Sequence, residues 1–489
     1  MEKFELFFSY TEEIEMSPVP EPIESISDML ECLEGATKDI RRKGLKNLYY
    51  ELLKYSSEQV FTEHIKFTIK AVLDQGGLSI LIHHFSYLTR ALEEPRDLES
   101  EQELRILLNV LYAVLHFTNT EDLLSELQQN TVNFEESILT LIRVSTDLPY
   151  VPIKKTCLLF FRYLQIVLDS PEKHRFLLEE HKKGVPRCKS QGSAVEGLYV
   201  RFTQNRLISK ENVMSQTVVG LLRSLLACCP GSNSQGVDVK QEWISPLLPK
   251  TEENWKNSID EPRHRYITGY AISKVLLYLL KKFRLSHFLQ FQFLSQLINE
   301  ANGALVLLKF LNLDIPGISK TPVFKVLGTM DRDKLVQNTL KTMIQVCYKV
   351  NKGHSERIQM NLVQFKSNLI FKKLLTMFPL NSTELPCLKI LRIQVKYLTK
   401  KWKSYPSNMR IISEIYQKLK PSKEDWISDN AEEGGNAEEK KLLNYEFNYY
   451  NYWHPLESVP PESPQLPKDF SESYEEWLEE NVWGYSYMY

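Results

Sequence analysis

From Ile23 to Leu178 apolar side chains return every three or four residues, the period of helices with one buried face. Lys38–Tyr55 sets Ile40, Leu45, Leu48, Leu52 and Tyr55 on one side. Leu104–Phe117 does so with Leu104, Leu107, Leu108, Leu111, Val114 and Leu115, and Lys154–Leu168 with Leu158, Phe161, Tyr163, Leu164 and Val167. Gly76-Gly77, Pro95 and the pair Pro149 and Pro152 interrupt these stretches, since helices seldom run into the residue before a proline. The spacing predicts stacked helix pairs of armadillo or HEAT type, without a clean repeat period.

The pattern changes over residues 182–240, where Gly184, Pro186, Gly192, Gly197, Pro230-Gly231 and the run Ser232–Gly236 leave room for one helix, Val213–Cys228. This region reads as a linker. Periodicity resumes over 241–426. Asp260-Glu261-Pro262 reads as a helix start, with Asp260 as N-cap and Pro262 in the first turn. Further helices are predicted at Leu285–Ile298, Leu335–Val350, Ile358–Met377 and Pro386–Trp402. The expectation is an all-α, irregular helical array in four parts: a helical block at 1–181, the linker at 182–240, a second block at 241–426, and a tail at 427–489.

That tail is both acidic and aromatic. From Pro421 to Tyr489 there are sixteen Asp or Glu against four Lys or Arg, with Tyr445, Phe447, Tyr449, Tyr450, Tyr452, Trp453, Tyr474, Trp477 and Trp483 among them. A solvated acidic tail lacks aromatics, so this one is expected to lie as an extended segment on the folded body. The complement lies just upstream. Asn361–Lys420 holds twelve Lys or Arg and two Asp or Glu. Within it Lys389, Arg392, Lys396, Lys400 and Lys403 step by three or four along what reads as a single helix, beside an apolar seam of Leu391, Val395, Leu398 and Trp402. A solvated face is the ordinary explanation; the alternatives are an acceptor for the tail or a polyanion pocket.

Chemistry enters mainly by exclusion. The sequence contains no phosphate-binding loop of the G-x-x-x-x-G-K-[ST] type, no G-x-S-x-G elbow, no H-E-x-x-H and no kinase signature set, so no enzyme activity is expected. His83-His84 and Cys228-Cys229 lack further ligands at metal-binding spacing and are read as packing. The seven cysteines are scattered, as reduced thiols are, and the opening MEKFELFFSYTEEIE lacks the basic-then-apolar order of a secretory leader. No apolar run reaches the length of a membrane span. A net charge of −2 gives no pull towards nucleic acid, and the expected location is the cytoplasm.

One stretch is more specific than any of these patterns. Glu253–Phe310, with Asp260, Pro262, Arg263, His264, Arg265 and Tyr266 at its heart, resembles the C-terminal signature of the striatin-interacting protein (STRIP) family. Phe8–Glu12, Lys396–Lys418, and Leu466–Phe470 with Tyr474–Glu479 resemble further motifs of that family in the same order. The chain is shorter than the family's usual members. The resemblance implies a non-catalytic, armadillo-like scaffold of the STRIPAK assembly, with striatin, protein phosphatase 2A, a Mob-like protein and germinal-centre-type kinases as partners and cell shape, cytoskeleton and signalling as outputs. It also implies inositol hexakisphosphate as a structural ligand, for which Lys281, Lys282, Arg284, Lys372 and Lys373 are the candidate residues. The competing expectation is a stand-alone adaptor for a peptide or polyanion.

Overall fold

The computed structural model describes residues 23, 25–53, 58–92, 98–129, 134–145, 147–148, 150–168, 198–199, 213–229, 255–286, 288–312, 332–351, 362–377, 381–395, 397–419 and 470–479. Among the described residues every regular element is a helix, so the fold is all-α. The helices are α1 Ile26–Leu33, α2 Lys38–Leu53, α3 Glu58–Asp74, α4 Gly77–Ala91, α5 Leu98–Phe117, α6 Thr120–Gln129, α7 Phe134–Val144, α8 Ile153–Val167 and α9 Val213–Ala227. They continue with α10 Trp255–Ser286, α11 Phe288–Glu300, α12 Gly303–Leu311, α13 Arg332–Asn351, α14 Ser367–Met377, α15 Asn381–Val395, α16 Lys400–Lys403, α17 Pro406–Leu419 and α18 Phe470–Leu478.

Two compact units are formed, one from Met1–Ser170 and Gly192–Thr342, the other from Pro171–Gln191 and Met343–Tyr489. In the first, α1 to α5 pack as near neighbours, α8 lies against α5, α7 and α10, and α9 touches α7, α10, α11 and α12. Thus α10 to α12, placed by sequence in the block 241–426, share a unit with α1 to α9. The apolar stripes supply the core: Leu45, Leu48, Leu81, Phe85, Leu107, Leu111, Phe160, Leu164, Ile272 and Leu276 are fully buried. In the second unit α14 and α17 both pack on α15. Their core is Phe371, Leu388, Leu391, Ile412 and Ile415.

A repeat invisible as a sequence period emerges at three turns. Gly76, Asn302 and Lys366 each take a left-handed conformation, with φ of 69°, 57° and 57°. In each, the amide of that residue donates to the carbonyl three residues back, Leu73, Asn299 or Val363. The amide three residues on, of Ser79, Leu305 or Leu369, returns to its carbonyl. A new helix leaves each turn as α4, α12 or α14. In the first two the next residue is glycine for want of space: a Cβ at Gly77 would lie 2.8 Å from the Val72 carbonyl oxygen, and one at Gly303 2.7 Å from that of Ile298. Helix-pair repetition is therefore carried by turn geometry rather than by recurring residue types.

Helix boundaries differ from the sequence-based expectation at several places, and the expected helix Ile358–Met377 is broken by the turn at Lys366, after which α14 begins at Ser367. Helix α10 already begins at Trp255, so Asp260 is not an N-cap and Pro262 lies inside the helix. The predicted helix Pro386–Trp402 is in fact two. Helix α15 runs from Asn381 with Pro386 in its interior and ends at Val395. The chain then turns, the amides of Tyr397 and Leu398 donating to the carbonyls of Gln394 and Val395. The Thr399 side chain next accepts from the Trp402 amide and caps a new helix, α16.

Candidate functional site

The signature segment lies on α10. His264 and Tyr266 are buried there, at 3% and 4% exposure. The Tyr266 ring meets Phe310 of α12 edge-on at 5.7 Å. Arg265 reaches α9, where its Nη1 donates to the carbonyls of Ala227 at 3.0 Å and Cys228 at 3.2 Å. These are carbonyls that a helix leaves without an amide partner at its C-terminus, and a cation there also complements the macrodipole. The role of Arg265 is thus to end one helix on the body of the next. Arg263, His264 and Arg265 do not stand in the first turn of a helix that Asp260 caps, because α10 starts well before them. The side chains of Asp260, Pro262 and Arg263 lie outside the described residues. Cys229, next to this junction, has its thiol pushed up to about 11 by burial, against the opposing pull of Lys309 and Arg265.

The paired histidines separate by role. His83 is exposed, whereas His84 Nε2 lies 2.8 Å from Glu103 Oε1 in the core. Nearby buried polar groups form short relays: Lys155 Nζ donates to Asn109 Oδ1 at 2.6 Å, Asn109 donates to the Tyr49 hydroxyl at 3.0 Å, and Tyr163 donates to Glu135 at 3.2 Å. Such partners offset part of the desolvation cost of buried polar groups. Among the described residues no group of three or more His, Cys, Asp or Glu could hold a metal ion.

Of the polyanion candidates in the first unit, Lys282 is buried with its Nζ 5.5 Å from the Tyr278 ring centre, and Arg284 stands 5.8 Å from that of Phe291. Lys281 has its pKa lowered by desolvation and then by the ammonium of Lys341, although solvent still reaches it. Lys341 was not singled out by sequence, since α13 is distant along the chain. In the second unit Lys372 is held by its own surroundings, donating to Ser407 Oγ at 2.7 Å and Asn408 Oδ1 at 2.6 Å, with the Tyr405 ring centre 5.8 Å away. Lys373 beside it is exposed.

The basic stripe does not lie on one helix. Lys389 and Arg392 are on α15, Lys400 and Lys403 on α16, and Lys396 falls outside the described residues. Lys389 is exposed and approaches the Tyr348 ring at 5.7 Å. Lys403 is 1% exposed, and burial together with nearby Lys400 brings its pKa down to about 8. Against α17 the terminal motif appears as α18. Trp477 is buried, its ring 5.5 Å from Tyr416, and the Tyr474 hydroxyl is 2.9 Å from Ser413 Oγ. No helix among the described residues is long and apolar enough to cross a membrane.

Comparison with known proteins places this arrangement. The chain matches the family described as Domain of unknown function (DUF3402) over residues 209–325 and 332–454. It is 32% identical over 314 residues to "Striatin-interacting proteins 2" of Mus musculus, covering 55% of this chain and 37% of that protein. It is 29% identical over 317 residues to "Striatin-interacting protein 1" of Mus musculus, covering 55% and 37%. It is also 30% identical over 315 residues to "Striatin-interacting protein 1 homolog" of Danio rerio, covering 55% and 38%. The aligned part of the chain thus spans little more than a third of these relatives.

Proposed function

The chain belongs to the striatin-interacting protein family, and from this we propose that it is a non-catalytic scaffold that binds striatin. The observation that carries the reading is the family match, which takes in α9 through α17. In both units the buried faces are apolar and the polar groups within them are largely committed to structural partners, as a rigid platform requires. The finer expectations belong to the same proposal: a cytoplasmic assembly in which striatin, protein phosphatase 2A, a Mob-like protein and germinal-centre-type kinases are brought together to control cell shape, cytoskeleton and signalling. The physical output of such a scaffold is effective concentration. Tethering turns an encounter between phosphatase and phosphorylated kinase into a nearly intramolecular one, at about millimolar effective concentration for short flexible links. Affinity capture of the tagged full chain from cell lysate is the test. Recovery of striatin with the phosphatase core is expected, and consistent absence of both sinks the proposal.

A second reading, an adaptor that carries a polyanion such as inositol hexakisphosphate, is favoured by the crowding of Lys281 and Lys341. A bound anion would relieve that repulsion and return the Lys281 pKa upward. Lys282 and Lys372 fit the ligand less well, since Lys282 is buried and Lys372 already has oxygen partners. If the ligand binds, thermal unfolding shifts upward with its concentration as mass action dictates. Lys341→Met would then weaken the shift.

A further inference from the structure

We infer that Tyr474 is a phosphate-acceptor site whose modification releases α18 from α17. Helix α18 is nine residues long, and an isolated helix of that size is unstable in water, so its order depends on docking. The docking surface is small. Tyr474 and Trp477, stacked 6.2 Å apart, close over Tyr416, with the Tyr474 ring 5.0 Å from that of Tyr416. At its polar end the hydroxyls of Tyr474 and Ser413 share one hydrogen bond of 2.9 Å. A phosphoryl group on Tyr474 takes away its hydroxyl proton, displaces the phenolic oxygen's close contact with Ser413 by a bulkier group, and puts about two negative charges where a hydroxyl was.

The local charges oppose a phosphate there. Glu472, Glu475, Glu476 and Glu479 surround Tyr474 in sequence, and the last three are exposed. On α17 Glu414 follows Ser413 directly, while Arg410 is paired with Glu414 and Lys418 with Glu384. Phosphotyrosine would therefore meet like charge and aromatic surface, the combination in which a phosphate breaks a contact rather than making one. The same carboxylates form the flank that a tyrosine kinase with a basic peptide groove recognises. In the transfer, the Tyr474 oxygen attacks the γ-phosphorus of ATP, the bond to the β,γ-bridging oxygen breaks, ADP leaves, and the phenolic proton passes to the kinase's base. Release of α18 uncovers the outward face of α17 at Ser413 and Tyr416.

The test uses the full chain, a purified tyrosine kinase selective for acidic flanks, Mg-ATP, site-localising mass spectrometry and hydrogen exchange. Phosphate is expected on Tyr474, with amide exchange in Phe470–Leu478 faster by about tenfold or more, as in loss of a local cooperative unit. Trp477→Ala, which undocks the helix but keeps the acceptor, should be modified at Tyr474 faster than the parent chain. Tyr474→Phe keeps the ring stack and should show no exchange change on kinase treatment. Full modification with unchanged exchange overturns the inference. So does a Tyr474 left unmodified in the parent chain, whether or not Trp477→Ala is modified, because α18 would then be a shield and not a switch.

Discussion

At position 366 a lysine occupies the left-handed turn conformation that glycine and asparagine occupy in the two other copies of the turn. A Cβ there costs roughly 1 kcal/mol or more, partly offset because glycine loses more freedom on folding. Lys366→Gly is therefore expected to raise stability by about 0.5 kcal/mol in urea unfolding. Gly77→Ala should do the opposite, because its Cβ would press on Val72 backbone and side chain alike, and overpacking of this kind costs about 1–3 kcal/mol. Equal stability of the Gly77→Ala and parent chains would show that α3 and α4 can part without cost. Lys403 adds a pH-dependent effect. Its ammonium titrates near 10.5 when unfolded and at about 8 when folded. The folded chain thus binds fewer protons between those values, and stability rises with pH across that window. The penalty is complete below about 8 and gone above about 10.5. Lys403→Met should accordingly be more stable than the parent at neutral pH, by a margin that shrinks as pH rises through the window. A margin independent of pH would refute the assignment.

Among the elements, those with long apolar stripes are legible in the sequence: α2, α8 and α9 begin and end within two residues of their expected positions, and α5 ends where expected but begins six residues earlier, because burial on one face dictates the period. Two of the misplaced boundaries share a cause. Proline reads as a starting signal at Pro262 and Pro386, whereas both helices run through it. The break after Val395 is encoded by one hydroxyl, Thr399, in a run whose lysines and apolar residues keep helical spacing across the gap. The partner of Arg265 was out of reach for a similar reason. Nothing in the segment Asp260–Tyr266 indicates that its acceptors are carbonyls thirty-seven and thirty-eight residues upstream. Arg265→Ala should leave those carbonyls without their charged donor, at about 1.5–3 kcal/mol, and speed hydrogen exchange through the junction of α9 and α10. Arg265→Lys, which keeps the charge but loses the planar, pre-organised guanidinium, should recover only part of the loss. If alanine and arginine are indistinguishable there, the signature serves a partner surface instead of helix junction packing.

On the scale of the whole molecule, charge balance and apolar docking make separable forecasts for the tail. Asn361–Lys420 carries ten more cationic than anionic side chains, and Pro421–Tyr489 twelve more anionic than cationic, so their attraction is a term that salt screens over about 8 Å at physiological strength. The sequence made this complementarity plain, since it needs only counting. The extended segment expected there is instead helical at Phe470–Leu478, since Pro455, Pro460, Pro461, Pro464 and Pro467, which favour extended chain, all precede it. Burial of Trp477 is an apolar term that salt does not weaken, and truncating a buried tryptophan costs on the order of 3 kcal/mol. Deleting Ile427–Tyr489 should lower the melting temperature by the sum of both terms, whereas Trp477→Ala should lower it by the apolar term alone. Raising salt from about 0.05 M to 0.5 M should therefore shrink the difference between parent and deletion, and leave that between parent and Trp477→Ala nearly constant. Equal salt dependence of the two differences would mean that the acidic residues play no part in holding the tail. A deletion as stable as the parent at every salt concentration would mean that α18 rests on α17 without stabilising it, and that the basic residues of α15 and α16, buried Lys403 apart, are a solvated face.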